Sequence, residues 1–366
     1  MIKIGVIGLG RRVSGIIKQL VALDSACRVT AVLDPDETGA RERLPEADRQ
    51  AATFYSSVKT LLRRGRPDAL VIGTRCNLHA RYAAAVASAG VPLFLEKPIA
   101  TTMRDARALE RAWQGAKSEV VVSFPLRVSQ LCTEAKQQIN QGAVGRVEHL
   151  LGVNYVTYGD VYFDRWYRDH NITQGLFLQK ATHDFDYLAY LAGAPITRVA
   201  AMKACGRVYR DKSLEPAGGD PDAAYYPQVG TPETGMNEDS SSALLEFANG
   251  AQGVYTQVFY SRNDAATRGA TISGLHGTLR FDWYANELRV IPHSTDSKPQ
   301  DFAPPAGVEH FGGDAVLMRN FSDVIHGRAK SLTPMRAGLE SVYACLAAKR
   351  SAETGRFVNV QPVTEL

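Results

Sequence analysis

Two glycines near the start of the chain have the spacing of a dinucleotide-binding loop. The segment Gly8-Leu9-Gly10 follows an apolar, β-branched run and precedes apolar residues at helical spacing. In such a loop the first glycine permits a tight turn, and the second lets the backbone approach a pyrophosphate. The N–H groups of Arg11 and Arg12 would then face that anion at the positive end of the helix dipole. The sequence therefore predicts that this turn binds phosphate groups.

Two further positions bear on which dinucleotide would bind. Val13 stands where the fingerprint carries a third glycine, whose main role is close helix–strand packing. Asp34 ends a second predicted strand about 20 positions later, where a carboxylate accepts hydrogen bonds from the adenosine ribose. That carboxylate would repel a 2′-phosphate, so we expect NAD, with NADP as the alternative because Arg11 or Arg12 could reach such a phosphate. The other interpretation of Asp34 is a turn residue before Pro35.

The elements that must position these residues alternate between strand and helix through the first third of the chain. Apolar runs predict strands at residues 2–7, 28–33, 69–73, 92–95 and 120–122, and helices at residues 80–89 and 103–115. This alternation predicts a parallel sheet with helices on both faces, which binds ligands beyond the carboxyl ends of its strands. The candidate cofactor contacts at those ends are Thr74, Asn77, His79, Glu96 and Lys97.

Composition and charge restrict the function further. The length of 366 residues favours two domains, and the net charge of +4 is spread along the chain, which argues against a nucleic-acid partner. The five cysteines lie far apart, so we expect neither a disulfide framework nor a metal site. The N-terminus has no secretory pattern, and no apolar run reaches the length of a membrane helix. We therefore expect a cytoplasmic protein without a membrane partner.

The rest of the chain has the pattern of a largely antiparallel sheet. Strands are predicted at residues 146–154, 196–204, 241–247, 252–260, 270–273, 278–283 and 287–291, and helices at residues 314–325 and 335–350. Residues 209–238 form a long connection rich in Pro, Gly, Asp and Tyr. Because long loops in compact domains are often functional, we expect an arm or a lid there.

Six short motifs follow one another in an order typical of one enzyme family. They are Gly8-Leu9-Gly10, Asp34, residues 74–79, Glu96-Lys97-Pro98, residues 123–127 (SFPLR) and residues 142–145 (GAVG). With them the chain resembles the glucose–fructose oxidoreductase/inositol dehydrogenase (Gfo/Idh/MocA) family over nearly its whole length.

This resemblance implies an α/β protein with two domains. The first, residues 1–122, would be a Rossmann domain with a doubly wound parallel sheet. The second, residues 123–366, would be an α/β domain with a large, open, mostly antiparallel sheet for substrate binding and oligomerisation. The exposed face of that sheet implies a homodimer or homotetramer. A C-terminal helix that packs back on the first domain is also compatible with the pattern.

The resemblance also implies catalytic roles for Lys97 and His183. The lysine would contact the substrate hydroxyl beside the nicotinamide, where an ammonium stabilises a developing alkoxide. The histidine would accept the hydroxyl proton, because the pKa of imidazole lies near working pH. The alternatives are a surface lysine at a strand end and a core or capping histidine.

A polar stripe surrounds the candidate histidine. Residues 175–192 predict one helix. The polar residues that share one of its faces are Gln179, Lys180, His183, Asp186 and Tyr187. The family often has an aspartate where this chain has Gln179, and an amide cannot stabilise an imidazolium by charge. Lys180 is either a substrate contact or a solvated residue that pairs with Asp184.

An aromatic and charged stretch precedes that helix. It contains Tyr158, Tyr162, Trp166 and Arg168. Aromatic faces and the planar guanidinium suit sugars, so we predict substrate contacts from Trp166 and Arg168, together with Arg127 of the SFPLR motif. The alternative is a connector packed by its own aromatic rings.

These observations predict an NAD(P)-dependent oxidoreductase that acts on a small carbohydrate or polyol. Hydride would pass between a CH–OH group and the nicotinamide. One alternative is a redox-assisted glycoside hydrolase or lyase, in which oxidation acidifies a neighbouring C–H before a glycosidic bond breaks. The other is an NAD(P)-binding sensor without turnover.

Overall fold

A computed structural model describes residues 1–163, 165–209, 236–305 and 309–364 of the chain. The chain divides into two units. The first comprises Met1–Ser129, Val308–Val342 and Val363–Leu366, and the second comprises Gln130–Gly307 and Tyr343–Pro362. Residues 210–235, which make up most of the predicted arm or lid, lie outside the described residues.

The first unit is built on a parallel sheet. In its described residues the strands are β1 (Ile2–Ile7), β2 (Cys27–Leu33), β3 (Thr53–Phe54), β4 (Ala69–Ile72), β5 (Leu93–Leu95) and β6 (Val120–Val122). Their order is β3-β2-β1-β4-β5-β6, and every pairing is parallel. The order reverses at β1, as in a doubly wound dinucleotide-binding sheet, which confirms the predicted fold class.

The second unit contains a larger, mixed sheet. Its described strands are β7 (Val147–Tyr155), β8 (Ile196–Cys205), β9 (Glu238–Phe247), β10 (Gln252–Val258), β11 (Thr267–Gly274), β12 (Gly277–Asp282), β13 (Glu287–Pro292), β14 (Gln300–Phe302) and β15 (Val358–Asn359). The order is β14-β13-β12-β11-β7-β10-β9-β8-β15, and β7–β10 is the parallel pair among these strands. The predicted open, mostly antiparallel sheet is therefore confirmed.

Helices connect and cover both sheets. Within the described residues the α-helices are α1 (Arg11–Leu23), α2 (Glu37–Arg43), α3 (Val58–Thr60), α4 (Cys76–Val86), α5 (Met103–Trp113), α6 (Gln130–Asn140), α7 (His170–Thr173), α8 (Leu176–Gln179), α9 (Ala181–Ala192), α10 (Gly313–Ile325) and α11 (Met335–Thr354). A π-helix covers Leu61–Gly65, and short 3₁₀ helices cover Glu46–Asp48, Ala87–Ala89, Gly159–Phe163, Arg165–Arg168, Asn263–Ala265 and Glu309–Gly312. No described helix is long and apolar enough to cross a membrane.

The packing of α1 on the parallel sheet explains why Val13 replaces the usual third glycine. The buried face of α1 carries Val13, Ile16 and Ile17, at the spacing expected of a helix that covers a sheet. A Cβ on Gly73, at the end of β4, would lie 2.0 Å from Cγ2 of Val13. Gly73 therefore provides the space that the third glycine of the fingerprint usually provides.

One prediction about the second unit is wrong. Residues 175–192 do not form one helix, because the chain breaks between α8 and α9 at Lys180, whose φ and ψ are −120° and −54°. The carboxylate of Glu238 accepts a hydrogen bond from the N–H of Leu176 and so fixes the start of α8.

Candidate active site

The turn between β1 and α1 has the geometry of a pyrophosphate-binding loop. Gly8 has a φ of +81°, and a Cβ there would lie 2.7–2.8 Å from atoms of Thr74. Gly10 is the N-cap of α1 and has no atom within 4 Å of its ideal Cβ position. No side chain caps the helix, so its first-turn N–H groups remain to bind an anion. The loop fits a dinucleotide.

Asp34 lies at the carboxyl end of β2, beside that turn. Its Oδ2 accepts a hydrogen bond from the N–H of Leu9 at 2.7 Å, and its Oδ1 accepts one from the N–H of Asp36 at 2.9 Å. These bonds fix the carboxylate, and each oxygen retains a lone pair for a ribose hydroxyl. The residues present therefore also fit the adenosine end of the cofactor.

The side chain of Arg12 is committed to carboxylates of the protein. Its Nε lies 3.1 Å from Oε1 of Glu96, and its two terminal nitrogens each lie 2.6 Å from an oxygen of Asp314. Burial alone would raise the pKa of Asp314, but hydrogen bonds from Arg12 and His310 hold it well below its usual value. Of the two arginines predicted to reach a 2′-phosphate, Arg11 is the exposed one.

His79 connects the loops that follow β4 and β5. Its Nδ1 lies 2.9 Å from the carbonyl oxygen of Pro98, and its Nε2 lies 3.0 Å from that of Thr74. The ring is buried, and burial lowers its pKa, so the neutral form donates to one carbonyl. This arrangement gives His79 a positioning role, whereas Asn77 is exposed at the start of α4.

Lys97 directly follows the buried Glu96 beyond β5. It is half-buried, and its peptide bond to Pro98 is cis. Glu96 accepts hydrogen bonds from both Arg12 and Ser123, which orders the strand end that carries Lys97. Arg127, predicted to contact substrate, is half-buried, and its charge opposes the rise that burial causes in the pKa of Glu340.

In the second unit, the side chain of Lys180 is buried and forms a hydrogen bond with a tyrosine. The residue is 4% exposed, and its Nζ donates a hydrogen bond to the hydroxyl of Tyr158. Nζ also lies 4.6 Å from the centre of the Tyr158 ring and 5.9 Å from that of Tyr162. The predicted solvated pair between Lys180 and Asp184 is therefore wrong.

Asp184 instead belongs to an interior ion pair. It is 0% exposed, and its two oxygens each lie 3.0 Å from one terminal nitrogen of Arg268. Tyr255 and Asn154 donate further hydrogen bonds to it, at 3.0 and 3.2 Å. This buried carboxylate is satisfied by β-sheet side chains, because α9 packs its polar first turn against the sheet.

His183 and Gln179 lie close to Lys180 along the chain. Both are buried, Gln179 at the end of α8 and His183 in the first turn of α9. The N–H of His183 donates to the carbonyl oxygen of Lys180 at 3.2 Å. The predicted polar stripe on one continuous helix is therefore interrupted, because Gln179 and His183 lie on separate helices.

The aromatic stretch is partly a packed cluster. Tyr162 and Phe163 are buried with Tyr209 and Phe259. Trp166 is half-buried and stacks on Tyr167, with ring centres 3.8 Å apart. Arg168 is half-buried in the same 3₁₀ helix. Tyr162 and Phe163 therefore belong to a connector packed by its own aromatic rings. The substrate contacts of Trp166 and Arg168 stay a prediction.

The partners of these groups could not be found from the sequence. Arg268, Tyr284 and Asp314 received no role, and no local spacing points to them. Arg268 is 84 positions from Asp184, and Asp314 is 302 positions from Arg12. No group of His, Cys, Asp and Glu in the described ranges is arranged to hold a metal ion.

Family models match both parts of the chain. Residues 2–124 match the model described as "Oxidoreductase family, NAD-binding Rossmann fold" (GFO_IDH_MocA). Residues 136–360 match the model described as "Oxidoreductase family, C-terminal alpha/beta domain". Together the two models cover most of the chain, in the order that the motifs predicted.

Named relatives include several dehydrogenases. Inositol 2-dehydrogenase 2 of Saccharopolyspora erythraea is 30% identical over 54% of this chain and 56% of its own length. Myo-inositol 2-dehydrogenase of Thermotoga maritima is 25% identical over 69% of this chain and 67% of its own length. The chain spans about half the length of three curated relatives that it matches, at 45%, 49% and 56%.

A solved structure of levoglucosan dehydrogenase, in complex with NADH and levoglucosan, has a similar fold. Its TM-score is 0.78, at 20% sequence identity, and the match covers 98% of this chain and 99% of that chain. At this identity the likeness establishes the fold alone.

Proposed function

Since the chain belongs to the NAD-binding Gfo/Idh/MocA oxidoreductase family, we propose that it is a dehydrogenase that oxidises a hydroxyl group of a sugar, polyol or sugar derivative. The observation that carries the proposal is the pairing of an uncapped α1 N-terminus with a carboxylate fixed at the end of β2. The names of relatives that act on inositols support the substrate class.

The first unit would hold the cofactor through backbone donors and one carboxylate. When bound, NAD supplies the acceptor for the hydride that leaves the substrate carbon. Gly10 and the first turn of α1 would bind the pyrophosphate, and Asp34 would bind the ribose hydroxyls. NADP is the less favoured cofactor, because Asp34 would repel a 2′-phosphate and Arg12 already pairs with Glu96 and Asp314.

Two residues are proposed to act on the reacting hydroxyl. The ammonium of Lys97 would stabilise the oxyanion that develops as the proton leaves. His183 would contact the same group, and the family resemblance assigns the proton to its imidazole. Substrate contacts are proposed for Arg127, Trp166 and Arg168, and for Gln179 and Lys180 beside His183.

A substrate screen tests the proposal. Purified protein is mixed with NAD or NADP and with sugars, inositols or sugar acids, while absorbance of the reduced nicotinamide and the products are followed in the same wells. We expect reduced cofactor with at least one compound, and a loss of about 10²–10⁴-fold in kcat/KM in Lys97→Ala. Lys59→Ala, which changes a lysine of α3, is the control.

Two other results would identify the alternatives. A cleaved glycoside without net reduced cofactor would indicate redox-assisted cleavage. Cofactor binding without turnover of any compound would indicate a sensor. Either result would contradict the dehydrogenase.

We also propose that the open sheet of the second unit forms a homo-oligomer contact. Leu244, Val254 and Leu151 are neighbours in one row across β9, β10 and β7. Leu244 is 51% exposed, and Met202 on β8 is 71% exposed. An exposed apolar row on a regular sheet is typical of an interface. Sedimentation would detect a dimer or tetramer, and a monomer at all concentrations would contradict this proposal.

A further inference from the structure

Three consecutive polar residues are buried where β9 begins. Asn237, Glu238 and Asp239 are 2%, 1% and 1% exposed. Burying a polar group costs free energy unless it is hydrogen-bonded, and each of these side chains binds a different part of the second unit. The carboxylate of Asp239 accepts hydrogen bonds from the N–H groups of Arg207 and Val208, just beyond β8. The other two side chains hold segments that carry proposed site residues.

Asn237 holds the aromatic stretch that precedes α7. Its amide nitrogen donates to the carbonyl oxygen of Tyr162 at 2.7 Å and to that of Tyr167 at 2.8 Å. Its amide oxygen accepts a hydrogen bond from the hydroxyl of Thr173 at 3.4 Å. Both N–H donors and the oxygen of this amide are therefore engaged.

These bonds connect two turns that lead to the proposed substrate contacts. Tyr162 lies in the first of the two 3₁₀ helices in the stretch, and Tyr167 lies in the second. The second helix also carries Arg168 and Trp166, whose ring stacks on that of Tyr167. A displacement of Tyr167 would therefore move both proposed contacts.

Glu238 holds the start of α8. Its Oε2 accepts a hydrogen bond from the N–H of Leu176 at 2.5 Å. The carboxylate also lies against Gly175, where a Cβ would be 2.8 Å from Oε1. Gly175 has a φ of +99°, so both its conformation and its contact with the carboxylate require glycine. Burial raises the pKa of Glu238, and the N–H of Leu176 and the charge of Lys203 oppose that rise.

A second side chain holds the residue before that glycine. Gln174 has a φ of +59°, which is uncommon for a residue other than glycine. Its Oε1 accepts a hydrogen bond from Nζ of Lys349, on α11, at 2.6 Å. Such a conformation persists where the surrounding structure over-determines it. The junction between α7 and α8 is therefore fixed by side chains from both β9 and α11.

The start of α8 determines where the residues after it lie. The N–H of Gln179 donates to the carbonyl oxygen of Gly175 at 3.1 Å. The N–H of Lys180 donates to that of Leu176 at 2.9 Å, and the N–H of His183 donates to that of Lys180 at 3.2 Å. A series of backbone hydrogen bonds thus connects the start of α8 to the imidazole that is proposed to accept the substrate proton.

We propose that Asn237 and Glu238 are positioning residues of the active site, Asn237 for the segment with the aromatic substrate contact and Glu238 for the segment that carries His183. The inference rests on the proposed dehydrogenase. Neither side chain touches the reacting atoms in this scheme. Because the two residues are consecutive at one strand end, they fix the two segments relative to each other. Substrate binding and proton transfer therefore depend on different members of the same pair.

Amide hydrogen exchange of the free protein tests both anchors without any substrate. Mass spectrometry follows the exchange of residues 165–168 and 174–183 in wild type and in each variant. Asn237→Ala should raise exchange in the first segment by about 10-fold, and Glu238→Ala should do so in the second. Glu238→Gln should keep most of the protection, because its amide oxygen still accepts a hydrogen bond from the N–H of Leu176.

Two variants near the other end of β9 are matched controls. Asn249→Ala also removes an amide that donates to a backbone carbonyl, that of Ala192 at 2.9 Å. Glu246→Gln also neutralises a carboxylate of β9, but one that is 40% exposed and lies 3.5 Å from Arg198. Neither variant should change the exchange of the two segments, KM or kcat.

KM and kcat should separate the two residues once the screen has identified a substrate. Asn237→Ala should raise KM by about 10-fold with a smaller change in kcat, because it loosens groups that bind the substrate in the ground and transition states alike. Glu238→Ala should lower kcat by about 10²-fold, because a displacement of about 1 Å at the reacting group has that effect. Glu238→Gln should recover most of this loss. A purely structural role would reduce the amount of folded protein without such a split.

The inference is overturned if Glu238→Ala keeps both kcat and the protection of residues 174–183, or if Asn237→Ala keeps KM. If Glu238→Ala does not fold, Glu238→Asp makes the same test, because it retains the charge but shortens the side chain by one methylene. Failure of the proposed function has a different signature. No compound in the screen would then yield reduced cofactor, whereas hydrogen exchange would still report on both anchors.

Discussion

Each unit contains an arginine in an ion pair, the half-buried Arg12 in the first and the buried Arg268 in the second, but the two clusters differ in the sign of their net charge. In the first unit one guanidinium, Arg12, meets two carboxylates, Glu96 and Asp314. In the second unit two buried cations, Arg268 and Lys180, lie near one carboxylate, Asp184, which pairs with Arg268. The first cluster therefore has one more carboxylate than cations, and the second has one more cation than carboxylates.

This difference assigns opposite tasks to the two clusters. A cluster with surplus carboxylates resists a further anion, and in the first unit its carboxylates accept hydrogen bonds from Arg12. A cluster with surplus cations favours a new anion beside it, and in the second unit, against the effect of burial, Lys180 and Arg268 lower the pKa of the Tyr158 phenol to about 8. One cluster therefore orders the side chain of Arg12, and the other lowers the pKa of Tyr158.

The largest effect on the free energy of unfolding should follow from replacing Asp184, the carboxylate that pairs with Arg268 in the second unit. Asp184→Asn keeps the shape of the side chain but leaves Arg268 buried without a counter-charge. We expect a loss of about 3–5 kcal/mol in the free energy of unfolding, because breaking a buried ion pair strands the remaining charge. Urea unfolding measures it. Asp301→Asn, in an exposed pair 3.6 Å from Arg289, is the control and should cost less than about 1 kcal/mol.

Removing one of the two carboxylates in the first unit should cost less. In Asp314→Asn, Arg12 keeps Glu96 and remains partly exposed to water, so we expect a loss of about 1–3 kcal/mol at neutral pH. The pKa of Asp314 is lowered in the folded state, so its contribution is present above the unfolded pKa and is lost as pH falls.

The difference in the free energy of unfolding between wild type and Asp314→Asn should therefore become smaller below about pH 4. Urea unfolding at neutral and at acidic pH measures this change. A difference that stays constant at acidic pH would show that the ionised carboxylate of Asp314 does not provide the stability. The first unit would then lack the surplus of negative charge.

A third variant tests whether a carboxylate of the first unit, Asp34, repels the 2′-phosphate of NADP. Asp34→Ser removes the carboxylate that would repel a 2′-phosphate. We expect NADPH affinity to rise relative to NADH by about 10-fold, which corresponds to about 1.4 kcal/mol. Fluorescence titration with both cofactors measures the ratio. Glu37→Gln, at the start of α2, removes a neighbouring exposed carboxylate and should leave the ratio unchanged. An unchanged ratio in Asp34→Ser would assign the selectivity to other residues.

The sequence predicted the features that depend on neighbouring residues. Gly8, Gly10 and Asp34 follow buried strands directly, so their positions at the carboxyl edge of the sheet depend only on the strand order. The alternation of apolar runs predicted a parallel sheet, and the family resemblance implied that it is doubly wound. The short strands β3, β14 and β15 were missed, because two or three residues carry no periodicity.

The sequence could not predict which side chains meet across long separations. Lys180 and Asp184 have the spacing of a helical pair, yet the chain breaks at Lys180 and Arg268 binds the aspartate instead. Arg268 lies at the start of β11, which the sequence predicted only from residue 270 onward, and no local spacing connects it to Asp184. The local rule for i and i+4 pairs is worth only tenths of a kcal/mol, and a buried guanidinium outweighs it.

The smallest expected effect is an alkaline gain in stability that is specific to the second unit. Tyr158 and Lys180 both have a lowered pKa in the folded state, so between about pH 8 and pH 10 the unfolded chain binds more protons than the folded one. Stability should therefore rise with pH over this window. Because Tyr158 is 45% exposed, we expect a gain below about 1 kcal/mol.

Urea unfolding gives the free energy of unfolding of wild type and of Lys180→Met at each pH in that window. The difference between the two proteins measures this gain, because the contributions of the other groups that titrate there cancel. The difference should grow with pH because the methionine variant has no lysine to deprotonate and leaves Tyr158 without its donor. Lys298→Met, in the connection before β14, is the control and should follow the wild type. A difference that falls with pH would mean that the pair binds its proton more tightly in the folded state, and the second cluster would then lack the surplus of positive charge on which the contrast between the two units depends.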